Sequence, residues 1–273
     1  MTTSERAGEL PVQSMPPVQS VARGEVPEAF DEVADRYHLM VALNPGYHAH
    51  LRRSADTLVA GLPPVSSVPC EVGHTVTVVD LGCGSGASTR AVVAALEAAG
   101  RRYRLVGVDG SAGMLREARS KSWPDEVTFA QGRAERLDEV AALADVADGG
   151  IDAVFAAYLV RNVTERDALL TSLRGVLRPG GALVVHEYSV AGNRRATAIW
   201  TAVCWSVVVP LGYLTSRRTR LYRYLWQSVL EMDSVQHLMG RLRDAGFEDV
   251  RSRSTRGWQR GIIHTFHGRR PLA

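Results

Sequence analysis

The sequence predicts an α/β fold, a doubly wound and mostly parallel sheet of seven strands with helices on both faces. Three observations carry this. Thr75–Asp80 is a β-branched run ending in an acid, Gly82-Cys83-Gly84-Ser85-Gly86 places three alternate glycines after it, and Arg90–Glu97 is amphipathic, so the stretch reads as buried strand, tight turn and helix. Arg104–Asp109 repeats the pattern, ending in a second carboxylate just before a helix start at Gly110-Ser111-Ala112. Beyond it, strand-like and helix-like segments alternate with crossovers long enough for a helix, which makes the sheet parallel and places ligands at the carboxyl ends of its strands.

In chain order, residues 1–26 are polar and Pro-rich, without the apolar core of a signal peptide, and are expected to be a disordered leader. Helical spacing over Ala29-Phe30, Val33-Ala34, Tyr37 and Met40-Val41 ends at the turn Asn44-Pro45-Gly46. A second helix, Tyr47–Gly61, precedes a Pro-rich link at Leu62–Pro69, so residues 27–69 form an N-terminal helical lid on the single domain 27–273. The core is then expected as strands at Val76–Leu81, Tyr103–Asp109, Val127–Ala130, Ile151–Ala157 and Ala182–Tyr188. Between them fall helices at Ser88–Ala99, Ala112–Lys121, Leu137–Ala144 and Glu165–Val176. A helix at Ser234–Ala245 and two late strands, Val250–Ser254 and Gly261–Gly268, complete the domain.

The insertion 191–231, after the fifth strand, is unusual. Ala196–Ser216 carries no charge and is flanked by Arg194-Arg195 and Arg217-Arg218, which meets the length of a membrane span. Thr197, Thr201, Ser206, Pro210, Gly212 and Thr215 dilute the run, and a span would tear the last strands from the sheet, so a helical cap over an apolar pocket is the expectation. Interfacial membrane contact is compatible with such a cap.

The chain has 273 residues, 45% apolar and 22% charged, as for an ordinary globular protein. Its net charge of +3 hides an asymmetry: from Arg194 to the end there are fourteen Arg against five Asp or Glu. That end suits an anionic neighbour, whether membrane surface, phosphorylated substrate or nucleic acid, and equally suits solvated faces in a chain with thirty-one Arg and the single Lys121. Cys70, Cys83 and Cys204 are odd in number and far apart, with no C-x-x-C pair, so neither a zinc site nor a disulfide framework is suggested; no metal is called for and a cytoplasmic location is expected. The glycine turn is G-x-G-x-G rather than G-x-G-x-x-G and lacks Gly-Lys-Ser/Thr, which argues against a dinucleotide and against a P-loop. Asp109, at the tip of the second strand, is placed to grip ribose hydroxyls.

The stretch Val79-Asp80-Leu81-Gly82-Cys83-Gly84-Ser85-Gly86 resembles motif I of the class I, Rossmann-like, S-adenosylmethionine (SAM) methyltransferases, and Leu177-Arg178-Pro179-Gly180-Gly181 resembles their turn before the fifth strand. Further segments are similar to the ubiquinone/menaquinone biosynthesis C-methyltransferases: Phe30–Tyr37 with Met40 and His48, Arg161-Asn162-Val163-Thr164, Leu221–Ser228, and Asp244–Phe247. The chain departs from the family pattern at Ala87, at His38 and at Arg133, where Asn is usual and where an arginine cannot accept from an adenine amino group.

The resemblance implies SAM as cofactor, with Asp80, Gly82, Gly84, Ser85 and Gly86 around its methionine half, Asp109 on ribose, Met114, Arg133 and Ala134 about adenine, and Ala157 and Tyr158 facing the sulfonium. It implies methylation of a ring carbon of a prenylated hydroquinone such as demethylmenaquinol, with Arg161 and Asn162 bordering the reaction site. His48, Tyr37 and Glu187 are the further candidates for handling the hydroxyl proton. An apolar, prenylated partner and peripheral contact with the inner face of the membrane follow, while nucleic acid is not expected and a homo-oligomer is left open. A methyltransferase of specialised metabolism acting on a prenylated aromatic or isoprenoid is the alternative. A SAM-fold binding protein that interacts with nucleic acid, and a SAM-binding cyclase, are the alternatives of other classes.

Overall fold

The computed structural model describes residues 46–62, 75–146, 150–216 and 220–272. The leader, the first lid helix with Tyr37, and the Pro-rich link after Leu62 lie outside the described residues. The elements are α1 (Tyr47–Gly61), β1 (Val76–Leu81), α2 (Ala87–Ala98), β2 (Tyr103–Asp109), α3 (Ala112–Arg119), β3 (Val127–Gln131), β4 (Ile151–Ala157), α4 (Arg166–Val176) and β5 (Leu177–Tyr188). There follow α5 (Arg194–Val203), a π-helical turn (Cys204–Val208), α6 (Val209–Ser216), α7 (Arg220–Leu230), α8 (Val235–Asp244), β6 (Glu248–Ser254) and β7 (Ile263–Arg269). They form a seven-stranded sheet of order β3-β2-β1-β4-β5-β7-β6, parallel except for β7, which runs antiparallel to both β5 and β6. The order reverses between β1 and β4, and the crevice at that switch point is where a doubly wound sheet binds its ligand.

Strand periodicity sorts the core into two layers. Val76 and Val78 of β1 face one way with Leu105, Phe155 and Val184, beneath α1, α2 and the helices after β5. Val79 and Leu81 face the other with Val106, Val154 and Val185, beneath α4 and α8. Because Asp80 shares the face of Val76 and Val78, its fully buried carboxylate points at α2. There it accepts from Ser88 Oγ at 2.8 Å and Thr89 Oγ1 at 2.6 Å, tying β1 to the first turn of the helix. Gly86 caps α2 at φ +90°, and a Cβ there would lie 2.7 Å from Trp123 Cζ2, so the position needs glycine twice over.

Two expectations are corrected. The segment 137–144 is not an α-helix but two 3₁₀ turns, Ala134–Glu139 and Ala141–Leu143. Arg136 (φ −134°, ψ 50°) and the extended Val140 interrupt the helical ladder, because Leu137, Val140 and Leu143 must all be buried over a short crossover. The Leu177–Gly181 turn is drawn into β5, which pairs with β4 from Leu177 onward through a register shift that absorbs Gly180 at φ +77°. Among the described residues no helix is long and apolar enough to cross a membrane; Ala196–Ser216 is split between α5, the π turn and α6.

Candidate active site

An open cleft lies over the carboxyl ends of β1, β2 and β4. Its floor is the glycine turn. Gly82 (φ +72°) and Gly84 (φ +52°) take conformations that side chains resist, and a Cβ on Gly84 would meet nothing within 4 Å, so this backbone is bare toward the cleft. Asp109 fixes the turn: its carboxylate accepts from Gly84 N–H and from Ser111 N–H, each at 2.8 Å. The carboxylate remains half-buried at the cleft edge. Ser111 in turn caps α3 by accepting from Met114 N–H, and this seats Met114 in the wall. Arg133 and Ala134 form the rim opposite, with the exposed Arg133 guanidinium 3.8 Å from Glu135.

Ser85, Ala157 and Tyr158 line the same cleft, as do Arg161 and Asn162. Asp80 does not: it stands behind the turn, holding α2. Burial lifts its carboxyl to about 7, against the lowering pull of the Thr89 and Ser88 hydroxyls and with the nearby charge of Asp109 adding to the rise.

The second half of the site is an aromatic and ionic cluster. Tyr158 sits at φ 57°, a costly conformation for a side-chain-bearing residue. Its N–H donates to His186 O at 2.7 Å, its hydroxyl lies 3.2 Å from His186 Nε2, and its ring stacks on Tyr47 of α1 at 5.5 Å. His186 bonds Thr265 Oγ1 through Nδ1, and burial drops its pKa to about 3, so the imidazole is neutral. Arg161 is 5% exposed, and its guanidinium donates to Glu187 Oε1 at 2.8 Å and to Tyr158 O at 2.6 Å. Glu187 is fully buried, outside the cleft, and also accepts from the N–H groups of Arg161 and Tyr188. Sequence reasoning offered Arg161 and Glu187 as separate candidates; the structure joins them as one buried ion pair. His48 is exposed, its ring edge-on to Tyr47, and the cleft takes Tyr47 from this helix rather than His48.

Tyr47, Tyr188, Trp200 and Tyr224 were not among the expected site residues. Rings run from Tyr158 to Tyr188 at 5.2 Å and on to Trp200 of α5 at 4.7 Å, joining the cleft to the inserted helices. Tyr224 of α7 donates to Asn162 Oδ1 at 3.1 Å, a second link. Tyr47 could have been read from its place in the buried 47, 51, 55, 58 stripe of α1. That stripe marks burial, not a cleft.

The profile of the ubiE/COQ5 methyltransferase family matches residues 18–269. The ubiquinone/menaquinone biosynthesis C-methyltransferase UbiE of Ectopseudomonas mendocina is 30% identical over 264 residues, 95% of this chain and 93% of the relative. The demethylmenaquinone methyltransferase of Mycolicibacterium vanbaalenii is 30% identical over 240 residues, 88% and 92% respectively. Among solved structures, the DszA carbon methyltransferase superposes with a TM-score of 0.60 at 18% identity, covering 93% of this chain and 61% of that one. The complex of the Haloferax volcanii Trm112 methyltransferase activator and a putative methyltransferase gives 0.57 at 21%, covering 90% and 97%; at these identities the likeness concerns the fold. The chain belongs to the ubiE/COQ5 methyltransferase family and is a SAM-dependent methyltransferase.

Proposed function

We propose that the protein methylates a ring carbon of a prenylated hydroquinone such as demethylmenaquinol, holding SAM along the glycine turn. The observation that carries the acceptor reading is the aromatic run from Tyr158 through Tyr188 to Trp200, which leads from the cleft into helices whose residues 196–216 bear no charge. An acceptor ring would lie in the cleft against Tyr47 and Tyr158, and an isoprenoid tail would extend toward the uncharged helices, where burial is worth about 0.8 kcal/mol per CH₂.

The residues present suit SAM. The open space over Gly84 admits the methionine half against bare backbone, beside the first N–H groups of α2. Asp109, already aimed by two backbone donors, would take the ribose hydroxyls, Met114 would pack on adenine, and Arg133 and Ala134 would edge it. Ala157 and Tyr158 would border the sulfonium, which supplies a methyl already activated for transfer. What remains for the protein is alignment: carbon, methyl and sulfur must lie in line. Tyr47 and Tyr158 would hold the ring, with Asn162, oriented by Tyr224 and by Tyr158 O, at its edge. The Arg161–Glu187 pair would act as a positioning element, since the guanidinium fixes Tyr158 O and lies 5.7 Å over the Tyr158 ring and 5.5 Å over that of Tyr188. A developing phenolate within reach of this cation would also be stabilised by it.

The test is incubation of the purified chain with methyl-labelled SAM and a panel comprising demethylmenaquinol, a demethylated benzoquinol and prenylated phenols. Label on a quinol ring carbon is the expected result. Label confined to a non-quinol acceptor would replace this substrate with one of specialised metabolism.

A further inference from the structure

A groove that methyl transfer leaves unused gathers arginines between α1 and the hairpin β6–β7, and it shares no lining residue with the cleft. Arg53 stands on its α1 wall, Arg251 and Arg253 lie on the edge strand β6, and Arg256 follows just beyond. Strand pairing aims the two β6 residues. Arg251 lies opposite His267 and Arg253 opposite Thr265, while Phe266 between those two partners belongs to the layer beneath α4 and α8, so both arginines share the face toward α1. They stand about 7 Å apart along the strand.

All four arginines are exposed, and among the described residues no carboxylate pairs with any of them. The one acid of the lining, Asp56, is taken by Arg52 at 2.8 Å. Two imidazoles of the lining register the uncompensated field. Burial first, and then the Arg53 charge, lower the His50 pKa; burial chiefly lowers that of His267, with Arg251 and Arg269 adding to the fall against the Asp249 carbonyl. We propose that this groove binds the diphosphate group of a small phosphorylated molecule. Two linked phosphates offer acceptor oxygens to guanidiniums on both walls, and the planar fork of arginine matches them two bonds at a time. A nucleic acid suits the groove poorly, because its described lining holds no Phe, Tyr or Trp on which a base could stack. For the same reason the group recognised is the diphosphate itself, whether free or at the end of an ester.

The experiment is calorimetric titration of the full chain with inorganic diphosphate and with ADP, in about 0.15 M salt, where exposed charges are screened beyond about 8 Å. Saturable binding at one site per chain is expected, unchanged when SAM is present in excess. Arg53→Gln on one wall and Arg253→Gln on the other should each weaken it about tenfold or more, the worth of a hydrogen bond to a charged group. Arg116→Gln removes the same charge from an exposed position on α3 and should leave the affinity unaltered. All three variants should melt with the parent. Equal affinity for the two probes assigns the site to the bare anion, and tighter binding of ADP assigns it to a diphosphate ester; both support the proposal. Absence of saturable binding, equal weakening by Arg116→Gln, competition with SAM, or displacement of the diphosphate by a lower concentration of single-stranded RNA would overturn it.

Discussion

Replacing Glu187 with Gln separates a structural carboxylate from a proton acceptor. Glu187 is fully buried and Arg161 is 5% exposed; the carboxylate accepts from the guanidinium at 2.8 Å, from Arg161 N–H at 3.2 Å and from Tyr188 N–H at 2.9 Å. Glutamine keeps the shape and one accepting oxygen but strands the guanidinium in a site with little water. Breaking one side of a buried pair costs about 3–5 kcal/mol, which for a chain of this size is a fall in Tm of roughly 6–10 °C. Adding Arg161→Met removes the stranded cation, so the double variant should recover at least about 1 kcal/mol over Glu187→Gln alone, a coupling read by denaturant titration. Activity of the single variant should decline with its stability and with the loosening of Tyr158. A Glu187→Gln protein that melts within about 2 °C of the parent yet loses turnover would refute this reasoning and make Glu187 the base.

Opposed pH slopes are expected at two buried groups. Asp80, lifted from 3.8 to about 7, keeps a proton in the folded state that the unfolded chain releases, so it contributes stability that is lost as pH rises from about 4 to 7. His186, lowered from 6.5 to about 3, is neutral when folded and charged when unfolded, so its contribution grows with pH across much of the same window. Relative to the parent, unfolding free energies of Asp80→Asn should therefore rise more steeply with pH, and those of His186→Gln less steeply. At the turn, Gly86→Ala combines φ +90° with a 2.7 Å contact to Trp123 and should lower Tm more than Gly84→Ala. Gly84→Ala meets no neighbour and should instead weaken SAM binding more, as read by calorimetry. Asp109→Asn should weaken SAM binding about tenfold to a hundredfold, the value of a hydrogen bond to a charged group, with a smaller change in Tm.

Sequence alone determined the alternation of strands and helices, the doubly wound sheet that follows from it, and the place of the cleft at the carboxyl ends of the strands. Alternate glycines after an acid-ended strand leave few options for the backbone, and a carboxylate at the end of a buried strand must emerge at the ligand edge. Positions fixed by local chain geometry were therefore legible: Gly82, Gly84, Asp109, Met114 and Arg161-Asn162 all line the cleft. The 3₁₀ turns at 134–143 were not, because their helical propensity yields to the need to bury Leu137, Val140 and Leu143 over a short crossover.

Partnership was decided only by tertiary structure. Period-two alternation sets Asp80 on the face of Val78, but only the packing of α2 brings Ser88 and Thr89 to it and takes it out of the cleft. Arg161 and Glu187 are twenty-six residues apart and belong to different elements; nothing local to either announces that each neutralises the other. The same holds for Tyr47 against Tyr158 and Tyr224 against Asn162. Side-chain period and turn chemistry are short-range properties written in neighbouring residues, whereas a pairing across the sheet exists only once the two layers have closed over it.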